Sequence, residues 1–181
     1  EHIMRESGIL MPVSSLPGPY GIGCFGKAAL EFVDFLAEAG QTIWQILPLS
    51  PTGYGDSPYQ SFSAFAGNPY FIDLDTLAEE GLLTREEIDA CYWGDDVTQV
   101  AYDTVFWYRF PLLKKAHARS EFHEEEGYEK FCMESWYWLN DYALYMALKF
   151  HFDNQEWLAW PEDIRFRKRD AVERYKEELK E

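Results

Sequence analysis

The chain has 181 residues, with 32 Asp and Glu against 16 Lys and Arg, giving a formal net charge of −16 and a pI near 4.6. Its 47% hydrophobic and 18% aromatic content supplies enough apolar surface to offset the entropy of ordering, which excludes a disordered acidic tail. The acidic balance argues against nucleic acid or an anionic membrane surface as partner, since both require clustered Lys and Arg.

The N-terminal stretch EHIMRESGILMPV lacks the basic and long apolar regions of a signal peptide, and Glu1–Ile3 fit a cloning remnant ahead of a native Met4. No apolar run approaches the ~20 residues of a membrane helix. Cys24, Cys91 and Cys132 are far apart and odd in number, with no C-x-x-C, so each reads as a small buried hydrophobe in a reducing compartment. The expectation is a soluble cytoplasmic protein.

Composition changes near residue 70. Residues 1–70 hold nine of the 12 glycines and seven of the nine prolines, with six acidic and two basic residues; residues 71–181 hold 26 acidic and 14 basic residues and read as mostly helical. Gly8–Val13 is a short apolar run and a buried-strand candidate. The turn-rich SSLPGPYGIGCFG follows. Lys27–Ala39 reads as a helix, because Ala29, Phe32, Val33 and Leu36 recur at i, i+3, i+4 and i+7, and Gly40 supplies its left-handed end. Thr42–Leu47, rich in β-branched and aromatic residues, reads as a second strand, and the strand–helix–strand order favours parallel pairing.

Pro48–Tyr70 carries four prolines, three glycines and five Phe or Tyr. A loop of this length inside a domain is functional or disordered, and the aromatics argue against disorder. Thr84-x-x-Glu87 is a capping box opening a short helix. A further helix starts near Tyr102, with Val105, Phe106 and Arg109 on one face, and Pro111 is expected to kink or restart it. Tyr128–Phe152 reads as a long helix apolar around most of its circumference, and the residues from about Asp163 onward as charged and helical.

Gly21-x-Gly23-x-x-Gly26 formally matches a dinucleotide fingerprint. Pro17 and Pro19 separate it from the strand, however, and no acidic residue ends the second strand at QILPLS, so a tight loop is the better reading. Gly55-Asp56-Ser57 lacks the second glycine of a nucleophile elbow and no histidine is near it in sequence, so Ser57 reads as a hydrogen-bonding group. His123 beside Glu124–Glu126 lacks the spacing of a metal motif and reads as an acidic solvated turn. The 48–70 loop itself has chemical content. Sugars present C–H faces and hydroxyls, and Tyr54, Asp56, Ser57, Tyr59, Gln60, Ser61 and Asn68 offer aromatic platforms and polar groups after a strand of a parallel pair. The competing reading is a rigid aromatic loop packing on its own protein.

PVSSLPGPYGIG, WQILPL and the nineteen-residue PTGYGDSPYQSFSAFAGNP resemble the amino-terminal signature of the 4-α-glucanotransferases, the amylomaltase or disproportionating-enzyme family, glycoside hydrolase family 77; DYALYMALK and WLAWPEDIRFRKRD resemble it too. The resemblance implies an α/β fold, the N-terminal part of a (β/α)8 TIM barrel holding its first two strands, with an inserted, mostly helical subdomain. Residues 1–72 would be the start of the catalytic barrel with its glucan-binding loop, and 73–181 the helical insertion. Such barrels take ~250 residues, so the chain looks like an N-terminal fragment. The family transfers α-1,4-glucan segments between maltooligosaccharides by retaining double displacement with three carboxylates. Those carboxylates belong to motifs this sequence does not contain, so no catalytic residue is assigned and the isolated chain is expected to be inactive.

By the same resemblance, Tyr59 and Ser57 line donor glucan subsites and Asp56 shapes their loop. Tyr54 resembles the tyrosine of a second glucan site, with Tyr102 a weaker match for its partner. No metal or organic cofactor is implied. The partners implied are α-1,4-glucans and maltooligosaccharides, with the missing C-terminal barrel portion or self-association covering a sheet that would otherwise expose an edge and an apolar face. Alternatives are a non-catalytic α-glucan-binding module and a helical assembly protein.

Overall fold

The computed structural model describes residues 6–53, 55–122 and 126–180 and shows a helix-rich chain with one two-stranded parallel sheet. It divides into two compact units, the first ending at Phe122. The compositional change near residue 70 falls inside that first unit.

In the first unit, β1 (Gly8–Leu10) pairs in parallel with β2 (Ile43–Gln45), Gly8 opposite Ile43 and Leu10 opposite Gln45. The crossover is α1 (Lys27–Glu38), closed by Gly40 at φ 71°. β1 is shorter than the apolar run Gly8–Val13 suggests. Pro12 has no N–H to add to the ladder and instead precedes a 3₁₀ turn over Val13–Ser15. Both strands are largely exposed rather than buried, because the sheet has only two. Ala29 and Leu36 of α1 are buried and Phe32 packs edge-on against Trp44 at 5.2 Å, but Val33 stays 47% exposed, since so narrow a sheet covers only part of the apolar stripe.

The glycine triplet is a packing device. Gly21 has φ +73°, a Cβ on Gly23 would collide with the Val13 carbonyl and the Leu16 backbone, and one on Gly26 would lie 2.5 Å from the Asp73 carboxylate. The tight-loop reading of this stretch therefore holds.

Three helices complete the unit: α2 (Leu74–Glu79), α3 (Arg85–Asp89) and α4 (Tyr102–Arg119). The Thr84–Glu87 capping box forms as the sequence indicates. Pro111 does not restart the chain: α4 runs continuously through it, with Pro111 on its exposed side, where water can serve the carbonyl that loses its N–H. Tyr20, Leu74, Leu83, Ile88, Leu112 and Ala116 form one core, and Ile22, Tyr70 and Val105 a second cluster.

The second unit is built from α5 (Glu126–His151), α6 (Glu162–Arg165) and α7 (Arg169–Glu178). Leu144, Leu148, Trp160, Ile164, Ala171 and Tyr175 make its core. Much of the apolar circumference of α5 remains exposed, including Met133 and Trp136.

Candidate functional site

The 48–70 loop is ordered by its own hydrogen bonds. Thr52 and Ser61 form an antiparallel bridge, Gly53 N donates to Gln60 O at 3.0 Å, and Gln60 N donates to Ser57 O at 3.0 Å. Asp56 N donates to Gly53 O at 3.1 Å, and Asp56 takes φ 53°, a left-handed conformation that Asp tolerates better than most residues. Asn68 fastens the base: its N–H donates to Leu49 O at 2.8 Å, its Nδ2 to Ser50 O at 3.4 Å, and its Oδ1 accepts from Tyr70 N at 3.0 Å. Ser61 Oγ donates to Ser63 O at 2.7 Å and accepts from Ser63 N at 3.2 Å. Asn68 and Ser61, grouped by sequence with the sugar-facing polar residues, thus use these polar atoms to hold the loop in shape.

Tyr59 stands at the tip of this frame, 73% exposed, and its N–H reaches Ser57 Oγ at 3.4 Å. Ser57 and Asp56 are half-buried beside it in sequence. Tyr54 lies outside the described residues. Tyr102, at the start of α4, is half-buried, with its ring 6.0 Å from that of Tyr70, and its hydroxyl is hydrogen-bonded to Ser14. Ser14 also lines a groove of about 420 Å³ with Trp93, Asp96 and Gln99.

Charge ties Asp56 to Tyr102 and Tyr70. Burial, then the neighbouring Asp103 carboxylate, raises the Asp56 carboxyl above its ordinary range. Burial pushes the Tyr70 phenol up to about 12, with Asp56, Tyr102 and Asp103 adding in that order. Tyr102 is raised by burial and then by Asp56. Sequence reasoning reaches Asp56 and Tyr102 but misses Ser14, Tyr70 and Asp103, whose proximity depends on chain folding that no local pattern encodes.

Under the end of the loop, Arg109 is fully buried and donates to the Ile72 carbonyl. Cys24 Sγ donates to Asp73 Oδ1 at 3.2 Å, and burial followed by Asp73 pushes this thiol up to about 11. The other Asp73 oxygen caps α2 by accepting from Thr76 N at 3.0 Å. These groups set where the loop rejoins the helices. Among the described residues no cluster of three His, Cys, Asp or Glu could hold a metal ion, and no helix is long and apolar enough to cross a membrane.

Residues 11–181 match the model of the 4-alpha-glucanotransferase family. The chain is 51% identical over 171 residues to a 4-alpha-glucanotransferase of Clostridium butyricum, covering 94% of this chain and 35% of the relative. It is 45% identical over 181 residues to that of Thermus thermophilus, covering 98% of this chain and 35% of the relative. Among solved structures, the amylomaltase from Streptococcus agalactiae in complex with acarbose superimposes with a TM-score of 0.90 at 42% identity, over 98% of this chain and 36% of that one. The chain therefore spans about a third of the length of these relatives.

Proposed function

The chain belongs to the 4-alpha-glucanotransferase family, and from that premise we propose that its 51–69 loop holds the donor strand of an α-1,4-glucan during transfer between maltooligosaccharides. The observation that carries this is the exposed Tyr59 ring two residues from Ser57, whose hydroxyl accepts from the Tyr59 N–H, on a loop braced by the side chains of Ser61, Ser63 and Asn68. An aromatic face and an adjacent hydroxyl, held in advance of binding, suit the C–H face and hydroxyls of a glucosyl unit. The amylomaltase relative in complex with acarbose supports a glucan-like ligand as the kind of molecule to look for. Asp56 shapes the loop through its left-handed turn, and Tyr54 and Tyr102 are assigned to a second glucan site.

No carboxylate of this chain is given the role of nucleophile, general acid or transition-state stabiliser. In the full reaction the two strands would open a (β/α)8 barrel. The exposed Ile9 and Leu10 of β1, Ile43 of β2 and Leu30 and Phe35 of α1 offer an apolar surface for further barrel polypeptide or a second copy. The 181-residue chain by itself is expected to release no glucose from maltotriose.

Titrating maltoheptaose into the labelled chain tests the loop assignment. Backbone signals of residues 55–61 should shift saturably, and Tyr59→Ala should weaken the midpoint about tenfold, which corresponds to about 1.4 kcal/mol. Unmoved loop signals at saturating maltoheptaose would overturn it.

A further inference from the structure

Arg109 lies two turns along α4 from Tyr102, on the same face, and is the largest side chain buried completely among the described residues. Its Nη2 donates to the Ile72 carbonyl, while Nε and Nη1 find no hydrogen-bond partner among the described residues. The Asp73 carboxylate acts on this charge but is engaged elsewhere, accepting from Cys24 Sγ at 3.2 Å and from Thr76 N at 3.0 Å. Stability alone is a poor reason for such a group. An apolar side chain of similar volume is often as favourable as a buried charge, and unpaired buried donors are costly. What the guanidinium supplies, and an apolar side chain cannot, is a donor aimed at one carbonyl.

That carbonyl lies at the exit of the candidate loop. Residues 70–73 are held one after another: Tyr70 N donates to Asn68 Oδ1 at 3.0 Å, Phe71 O accepts from Phe25 N at 3.0 Å, Ile72 O accepts from Arg109, and Asp73 Oδ1 accepts from Cys24. Exit and entry are tied together, because Asn68 also donates to the carbonyls of Leu49 and Ser50. The stretch between them, which carries Tyr59, therefore stands on a frame fixed by α4 and by residues 24–25. The helix grips this frame twice, through the Tyr102 ring against Tyr70 and through the Arg109 fork on Ile72. The Arg109 charge also acts on the Tyr70 phenol, where it opposes Asp56.

We propose that Arg109 is a positioning residue for glucan binding: its hydrogen bond to the Ile72 carbonyl sets the stance of the 51–69 loop and so the place of the Tyr59 ring. The inference rests on the glucan reading of that loop and adds to it a buried residue that touches no ligand.

The test compares the isotope-labelled 181-residue chain with Arg109→Met, Arg109→Lys and Ile88→Ala, first without ligand and then through a maltoheptaose titration. Arg109→Met keeps the bulk and removes the donors. It should move the backbone signals of residues 55–61 in the ligand-free chain and weaken the midpoint about fivefold, since a loop no longer held in its binding conformation must be ordered on association. Arg109→Lys keeps the charge but loses the planar fork, and should move the same signals less and weaken the midpoint about threefold. Ile88→Ala lowers stability in the core away from the loop exit, and should leave the ligand-free loop signals in place and the midpoint within about twofold. Either Arg109 variant, folded, with loop signals and midpoint matching the parent overturns the proposal, and Arg109→Lys decides it should Arg109→Met not fold. Equal effects from Ile88→Ala would reduce Arg109 to a general contribution to stability and overturn it as well. A parent whose 55–61 signals ignore maltoheptaose overturns the glucan reading itself, whereas a responding parent with an unaltered Arg109→Met overturns the role of Arg109 alone.

Discussion

The rings of Tyr70 and Tyr102 lie 6.0 Å apart at a tilt of 52°, so the residue that ends the candidate loop and the residue that opens α4 pack as one unit. Loop position is thereby tied to a helix start more than thirty residues further along the chain. Tyr102→Phe keeps this ring contact and gives up the hydrogen bond with Ser14, at an expected cost of about 1 kcal/mol. Tyr102→Ala removes the ring as well. Because the ring is half-buried, the loss should reach about 2–3 kcal/mol, below the cost for a fully buried aromatic. Urea unfolding of the two variants checks the difference.

Asp56 should make stability depend on pH in an unusual direction for a carboxylate. Its folded-state pKa lies above the ordinary 3.8, through burial and then Asp103, so the folded chain holds the proton more tightly than the unfolded one. Its contribution therefore falls as pH rises from below 3.8 through the raised folded value. Asp56→Asn tolerates the same left-handed backbone and removes the charge. Melting scans should find it more stable than the parent at pH 7 and equal to it near pH 3; equal stability at both would refute the assignment.

Glu87 has the opposite sign. Arg119 grips its carboxylate with both terminal nitrogens at 2.7 and 2.8 Å, the Thr84 N–H donates to it at 3.1 Å and Lys115 adds a contact at 3.2 Å. The Arg119 hydrogen bonds, then that from Thr84, hold the carboxyl well below its usual range. The stabilisation is present above the unfolded value of 4.5 and lost as pH falls below it. Glu87→Gln should flatten this part of the acid limb, and Thr84→Ala should cost about 1 kcal/mol at neutral pH.

Burial separates two aliphatic residues that the sequence presents alike. Ile88, fully buried in the core beside Leu74 and Leu112, should cost about 2–5 kcal/mol when cut to Ala. Val33→Ala, on the exposed part of the α1 stripe, should stay within about 0.5 kcal/mol. Chemical denaturation of both variants measures the contrast.

What could be read from the sequence was local. The 3.6-residue recurrence of Ala29, Phe32 and Leu36 marks α1, the Thr84–Glu87 pair marks the start of α3, and the spacing from Val105 to Arg109 places that arginine on the stripe where it is fully buried. The shortening of β1 at Leu10 follows from Pro12, a single residue outweighed in the reading by its apolar neighbours. The nearness of Asp103 to Asp56 and of Ser14 to Tyr102 arises only when distant segments meet, so no periodicity carries it. The bracing roles of Asn68 and Ser61 were hidden for another reason: a side chain that fastens a loop and one that faces a ligand have the same chemical identity.

The steric closeness around Gly21, Gly23 and Gly26 has a bearing on how such chains diverge. The neighbours that exclude a Cβ come from Trp93, from the Val13–Leu16 turn and from Asp73, three separate parts of the chain. At Gly23 every close neighbour is backbone, so no change of a neighbouring side chain can make room for a Cβ there. Saturation mutagenesis scored on folding alone should return glycine at position 23 with almost no exceptions. The requirement for a foldable chain is by itself enough to demand glycine here, in a spacing that mimics a nucleotide signature without any nucleotide to bind.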